Sequence, residues 1–399
     1  MRTAKPTTGD SPTGVPVLAV VSDCVMPYNK GGKEARYAAL LPRLAGSGIR
    51  VEVYTMNWWG DGSSPVHDGV VMRAISPLLP LYRGERRSIR QALAFAVCSL
   101  RLMFRSFDAL EADAIPFLQL YPLKVVSLVR RRPLLVTWHE LWGAEYWREY
   151  LGPAGRVAAL LEASAVRLPN RIFAASEGTA ERLRAIRGAR GGVTVVPNGL
   201  DLDEVERAPA LTSSDVICVG RLLAHKKVDA VISAVAQLAG EGLPLTLTVI
   251  GQGPELERLT AQSRQLQVGH LVTFLAPVES RTELLGLVKG ARVMAFPSER
   301  EGFGLVALEA LACGTPVVTS DHKDNEARHL VQDGVTGVVC PAETARIAAG
   351  IRAVLDAGEP MRHAAAASAM DNSWDVIAKG LAGSIFDALP ASGAVTVSA

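Results

Sequence analysis

The sequence predicts an α/β protein of two doubly wound, Rossmann-like domains facing a central cleft. Three observations carry this prediction. Short apolar runs closed by a glycine or polar turn alternate with helical patterns through both halves of the chain. Its 399 residues are 49% hydrophobic, enough for two separate cores. Residues 291–321, ARVMAFPSEREGFGLVALEALACGTPVVTSD, lay out strand, glycine loop, helix and strand in a single stretch. There, Val293–Phe296 ends at Pro297 and reads as a buried strand. Residues 305–313 turn helical, Gly314 occupies a C-cap position, and Pro316 stops the helix before Val317 and Val318 open the next strand. Two parallel strands joined by a helix make a βαβ unit.

Taken in order, residues 15–21 are the first strand. They are too short, and lie too far behind a polar tail, to be a signal peptide or a membrane span. A cytoplasmic protein is expected, with residues 1–14 and 389–399 disordered. Gly31 and Gly32 precede the first helix, residues 34–45, where an α/β sheet places its ligand loop. The pattern is not GxGxxG, and no distal acid completes one, which argues against a nicotinamide enzyme. Residues 51–56 are the next strand, and the following loop carries Trp58 and Trp59. That pair is suited to stacking on a sugar or meeting a membrane interface, or it divides between the core and the strand end. Residues 83–105 open with Arg83, Arg86, Arg87 and Arg90 and then turn apolar. This fits a helix packed on the sheet, or one lying on an anionic membrane. Leu134–Trp138 is a strand with His139 at its C-terminal end, where such sheets bind ligands; a satisfied core histidine is the alternative. Further strands at 171–176 and 193–196 lead to the Pro197-Asn198-Gly199 turn.

The first domain is thus placed at residues 1–205, the second at 206–373, with a last helix at 374–389. The second domain opens with Val216–Val219, then Gly220-Arg221 and Lys226-Lys227. Arg221 offers a planar fork and Lys226 a point charge, together able to hold a diphosphate. Strands at 245–250 and 272–274 follow, the latter leading to Val278.

The net charge of +2 hides a division. Residues 1–210 hold 27 Lys and Arg against 20 Asp and Glu, and the remainder carries five more acids than bases. A basic first half suggests an anionic acceptor or lipid surface, while the small excess argues against nucleic acid. Five scattered cysteines without a CxxC suggest a reducing compartment and no structural zinc. Asp201 and Asp203 form a lone DxD after a turn, read as a loop or helix start and not as a metal clamp.

The chemistry concentrates in Gly302-Phe303-Gly304. Glycines before a helix let a ligand approach the backbone, and the helix N-terminus favours an anion. Glu301 and Glu309 frame that loop, and carboxylates accept hydrogen bonds from vicinal hydroxyls. Phosphate flanked by hydroxyls at both ends is the layout of a nucleotide diphosphate sugar. The stretch EGFGLVALE followed by ALACGTPVV resembles the Glu-x7-Glu signature of the family 4 (group 1) glycosyltransferases, which have the GT-B fold. The resemblance extends over nearly the whole chain and is strongest in residues 216–340.

The resemblance implies a retaining, metal-independent transfer of sugar from a UDP- or GDP-linked donor to a glycan, glycolipid or small-molecule acceptor, with no cofactor. It implies that Glu301 contacts the donor sugar and Glu309 the ribose. The backbone of Gly302, Phe303, Gly304 and Leu305 would meet sugar and phosphate, and Arg221 and Lys226 would hold the diphosphate. Gly31 and Gly32 would face the donor, His139 would lie near the reacting sugar, and Val278 would touch the base through its backbone. The family usually has glycine where Lys227 stands, which leaves open which lysine reaches the phosphate. The last helix is expected to cross back to the first domain. A nucleotide-sugar 2-epimerase on the same fold and a non-catalytic sugar-nucleotide sensor are the alternatives. The acceptor is expected to be anionic, lipid-linked or a small molecule, with a peripheral membrane contact left open.

Overall fold

The computed structural model describes residues 14–29, 31–83, 86–188 and 191–389, without the side chains of Arg83 and Arg86. The expected terminal tails, apart from residues 14 and 389, and Lys30 of the first glycine loop lie outside the described residues. The chain packs as two units, residues 1–197 with 374–399, and residues 198–373.

The first unit is built on an eight-stranded sheet. Its spatial order is Val193–Val195, Arg171–Ala174, Leu134–Trp138, Ala109–Asp113, Val17–Val21, Arg50–Met56, Val70–Ser76 and Val66–His67. All neighbours are parallel except the last pair. Strand side chains alternate between faces. Val17, Ala19 and Val21 therefore enter one core layer and Leu18 and Val20 the other. Helices Ile89–Cys98, Leu120–Arg130 and Gly155–Ala165 contribute to the first layer. Helices Gly32–Gly46 and Trp374–Phe386 close the second, with Leu40 and Leu44 in the same cluster as Trp374, Ile377 and Leu381.

The second unit has six parallel strands in the order Val272–Leu275, Leu247–Ile250, Val216–Val219, Val293–Phe296, Val317–Ser320 and Gly337–Cys340. Helix Leu202–Arg207, which the sequence reading placed at the edge of the first domain, belongs here. Leu200 and Val205 lie in this unit's core, and the helix packs on Arg281–Gly290 and Leu305–Ala312. Its start is capped by the Asp201 side chain, which accepts from the Glu204 N–H at 3.0 Å. Asp201 therefore does the work of an N-cap.

Both sheets reverse direction of growth at their first strand. The next strands of the chain lie on one side of it, and the chain then returns to add the rest on the other. At such a reversal the loops leaving adjacent strands part, and their carboxyl ends frame a crevice.

Candidate active site

In the second unit the crevice lies at the ends of Val216–Val219 and Val293–Phe296. The loop after the first carries Gly220, Arg221 and Lys226; the loop after the second carries Ser298 and Glu301. Arg221, Lys226 and Ser298 line one small cavity there. Lys226 Nζ pairs with Glu301 Oε2 and sits 5.2 Å from the centre of the Phe296 ring. Both side chains keep about a fifth of their surface exposed, 18% and 20%. Lys227 turns elsewhere, pairing with Glu299 at 3.3 Å. Its backbone is left-handed, with φ 55° and ψ 33°, a conformation glycine adopts without strain. Ser298 Oγ is buried in the cavity wall without a hydrogen-bond partner, an arrangement that normally costs about 1–3 kcal/mol.

The glycine loop is held from below. Arg300–Glu301 pairs in parallel with Asp324–Asn325. The buried Asn325 amide donates to Ser320 O at 2.8 Å and Thr319 Oγ1 at 3.0 Å, and its carbonyl oxygen accepts from the Ala327 N–H at 3.2 Å. Gly304 has φ 93°, and a Cβ there would come within 2.5 Å of Ala327 Cβ. Phe303 points into the core, which leaves its backbone as the surface available to a ligand. Leu305 and Val278 are half-buried against the same cluster. Helix Leu305–Ala312 begins directly after Gly304.

Glu309 lies one turn into that helix and is 7% exposed. Burial raises its pKa, opposed by Arg281. Arg281 Nη1 donates to Glu309 Oε1 at 2.9 Å, and its Nε donates to Glu204 at 2.7 Å. One Glu309 oxygen is thus committed to a guanidinium that the sequence reading did not single out.

In the first unit the crevice lies at the ends of Val17–Val21 and Ala109–Asp113. Gly31 caps the first helix in extended conformation, and a Cβ on it would strike Glu34 Oε2 at 2.3 Å. Nothing lies within 4 Å of a Cβ on Gly32. Lys33, on the first turn, reaches Asp23 Oδ1 at 2.9 Å, Asp113 Oδ2 at 2.6 Å and Ile115 O at 2.9 Å. Arg87 Nη1 donates to the other Asp23 oxygen at 2.6 Å, joined by Gln91 Nε2 at 3.1 Å. Burial would raise the Asp23 pKa, but the two cations hold it below the ordinary carboxylate value. The same carboxylates drive the Lys33 pKa up against burial.

His139 Nε2 lies 3.8 Å from Asp113 Oδ1, too far for a hydrogen bond, and is buried without a partner. Burial pushes its pKa down to about 4, so the imidazole is neutral at neutral pH. Beneath this layer Glu111 accepts from Tyr37 Oη at 3.0 Å and Thr137 Oγ1 at 2.6 Å, and burial raises its pKa to about 7. Both tryptophans of the early loop are half-buried on the protein. Trp58 donates to Asp23 O at 3.0 Å, and Trp59 donates to Ser63 O at 3.1 Å beside Tyr28.

The structure thus gathers Arg221, Lys226, Glu301 and the glycine loop in one unit, and Gly31, Gly32 and His139 at the crevice of the other. Asp23, Lys33, Asp113, Ser298 and Arg281 were not singled out as site residues. Their signal is a charged or polar residue at a strand end or first helical turn, which is common on solvated surfaces. The described residues contain no group of three or more His, Cys, Asp or Glu side chains placed to hold a metal ion.

This architecture recurs in solved structures. Sucrose-phosphate synthase from Thermosynechococcus elongatus superposes with a TM-score of 0.74 at 19% identity, covering 93% of this chain and 98% of that one. Anabaena HepE in complex with UDP and glucose superposes with a TM-score of 0.68 at 18% identity, covering 93% and 100%. The fold is GT-B. Two family models span the sequence: Glycosyltransferase Family 4 over residues 30–204 and Glycosyl transferases group 1 over residues 203–370. The D-inositol 3-phosphate glycosyltransferase of Mycobacterium avium is 31% identical over 396 residues, 92% of each chain. The glycogen synthase of Mycobacterium tuberculosis is 32% identical over 229 residues, 56% of this chain and 55% of that one. The match therefore spans about half the length of that synthase. The chain belongs to the family 4, group 1 glycosyltransferases and is a glycosyltransferase enzyme.

Proposed function

We propose that the enzyme moves a sugar from a UDP- or GDP-linked donor to a hydroxyl of an anionic acceptor, with retention and without a metal ion. The observation that carries this reading is the convergence of Arg221, Lys226, Glu301 and the unpartnered Ser298 hydroxyl at one strand reversal. Two cations and a hydroxyl donor suit a diphosphate, and a carboxylate beside them suits sugar hydroxyls. Lys226, in the same cavity as Arg221, is the lysine assigned to the phosphate. In the reaction the bond from the anomeric carbon to the phosphate oxygen breaks and the acceptor oxygen bonds to the same face. The acceptor proton passes to the leaving phosphate. Arg221, Lys226 and the helix N-terminus after Gly304 stabilise the charge that grows on the diphosphate. Glu309 takes the ribose hydroxyls through its remaining oxygen. Neutral His139 positions a hydroxyl. The named substrate of the Mycobacterium avium relative, an inositol phosphate, supports a phosphorylated polyol as acceptor.

The test is release of nucleoside diphosphate from a panel of UDP- and GDP-sugars, with and without phosphorylated polyols, and NMR of the product's anomeric configuration. Acceptor-dependent release with retention is expected, unchanged in excess EDTA. Product without acceptor would indicate the isomerase, and binding without turnover the sensor. Activity that stops in EDTA and returns with Mg²⁺ would overturn the metal-free reading.

A further inference from the structure

Three helices of the first unit are apolar on both sides. Helix Ile89–Cys98 with its extension Ser99–Phe104, helix Leu120–Arg130 and helix Gly155–Ala165 each bury one side in the same core layer, through Phe95, Leu102, Leu123, Val126 and Ala165. They lie side by side. Helix Leu120–Arg130 packs against Ile89–Cys98 and its extension, and the Tyr121 hydroxyl donates to Leu161 O at 2.8 Å in the third. Their other sides carry Val97, Phe104, Leu128, Val129, Val157 and Leu160 into solvent, with Phe104 86% and Leu160 72% exposed. A helix apolar all round ordinarily lies inside a protein or a bilayer, and contiguous exposed apolar surface marks an interaction site.

Among the described residues of these three helices the exposed charge has one sign. These helices contain a single carboxylate, Glu162. It is buried, accepting from the N–H groups of Trp142 and Gly143 at 3.2 and 2.9 Å. Arg90, Arg105, Arg131 and Arg156 are exposed on or beside the same helices. Among the described residues, exposed acids stand on the helices beyond these three, Glu145 and Glu149 on Gly143–Leu151 and Glu177 and Glu181 on Glu177–Arg187, which shares the core layer.

We propose that this three-helix face docks on the surface of a bilayer containing anionic phospholipid. Apolar side chains enter the headgroup boundary while the arginines meet lipid phosphates. A second copy of the chain is the poorer occupant, because a two-fold contact would set this cationic rim against itself. No described helix is long and apolar enough to cross the bilayer, so the contact is at its surface. The sequence marked residues 83–105 and the Trp58–Trp59 loop for such a role; the fold adds the two neighbouring helices.

Cosedimentation of the full chain with phosphatidylglycerol–phosphatidylcholine vesicles, against phosphatidylcholine alone, tests the proposal. Binding to the anionic vesicles is expected, falling as salt rises past about 0.1 M. The triple variant Phe104→Ser, Leu128→Ser, Leu160→Ser should lower the partition coefficient about tenfold at fixed salt. Arg90→Glu, Arg131→Glu, Arg156→Glu should lower it roughly a hundredfold and flatten the salt dependence. All six positions are at the surface, so melting temperatures serve as the folding control. Failure of the parent chain to bind anionic vesicles at low salt overturns the proposal. So does equal binding to neutral vesicles, or a dimer in light scattering that the serine variant converts to monomer.

Discussion

The two strand reversals have the same topology and opposite electrostatic states. In the first unit Lys33, Asp23, Asp113 and Arg87 satisfy one another inside the protein, and both carboxylates are fully buried. In the second, Arg221 is exposed, Lys226 and Glu301 are partly exposed, and Ser298 Oγ lacks a partner. The first crevice is a closed charge network that fixes the geometry of its loops. The second keeps its donors and acceptors available to a ligand. The same fold thus builds a rigid platform where the charge pairs are buried and a candidate binding site where the Lys226–Glu301 pair stays partly open to solvent.

The sharpest way to break this contrast is to remove one lysine from each crevice. Lys33→Ala leaves two buried carboxylates without their shared cation and should destabilise the protein by about 3–5 kcal/mol in urea unfolding. Lys226→Ala should change stability by less than about 1 kcal/mol, because its pair is partly solvated. It should instead weaken UDP or GDP binding by about 1–3 kcal/mol in calorimetry, as should Arg221→Ala. Equal stability losses for the two lysines would dissolve the distinction.

Within the second crevice the glutamates should separate kinetically. On the proposed reading Glu301 adjoins the reacting sugar, so Glu301→Gln should lower kcat by about 100-fold with a smaller change in KM. On the same reading Glu309 addresses a part of the donor that does not react, so Glu309→Gln should raise KM roughly tenfold and leave kcat nearly intact. Arg281→Ala should follow Glu309→Gln, since Arg281 orients that carboxylate. An Arg281 variant that lost kcat at saturating donor would mean the guanidinium reaches the reacting centre itself.

A smaller effect concerns pH, and two groups of the first unit contribute to it with opposite sign. His139 has a folded pKa of about 4 against an ordinary 6.5. Between those values the unfolded chain binds a proton that the folded chain does not, so its contribution makes stability rise with pH. Glu111 is raised to about 7 from 4.5. In that window the folded chain holds the extra proton, so its contribution makes stability fall as pH rises. The two slopes, each at most about 1.4 kcal/mol per pH unit, oppose each other between pH 4.5 and 6.5. Glu111→Gln should therefore make the slope in thermal unfolding more positive across that window, and His139→Asn more negative. Unchanged profiles in both variants would show that neither group titrates as its burial requires.

The contrast also explains what could be read from the chain in advance. The second unit's loop was legible because its parts are contiguous: strand, glycines, glutamate pair, helix and the terminating Gly314, which has φ 68°. Strand Ala109–Asp113 was not, because ALEAD carries two acids where a buried strand is expected to be apolar. Only the fold supplies Tyr37, Thr137 and Lys33 to satisfy them, from 74, 26 and about 80 residues away. Arg281 was silent for the same reason, lying 28 residues from the carboxylate it binds. Polar partnerships at such separations leave no periodicity in sequence, whereas backbone geometry leaves glycines and prolines.

The last helix has a consequence for synthesis. Trp374, Ile377, Ala378, Leu381, Ala382 and Ile385 complete a core layer whose other buried members all precede residue 197. A ribosome delivers the whole of residues 198–373 before it delivers that cover. The second unit can finish folding as an uninterrupted stretch while the first waits with Leu40 and Leu44 uncovered. The unit whose sheet is translated first of the two is therefore the last to mature. A nascent chain stalled before residue 374 would present a sticky, half-built domain to chaperones.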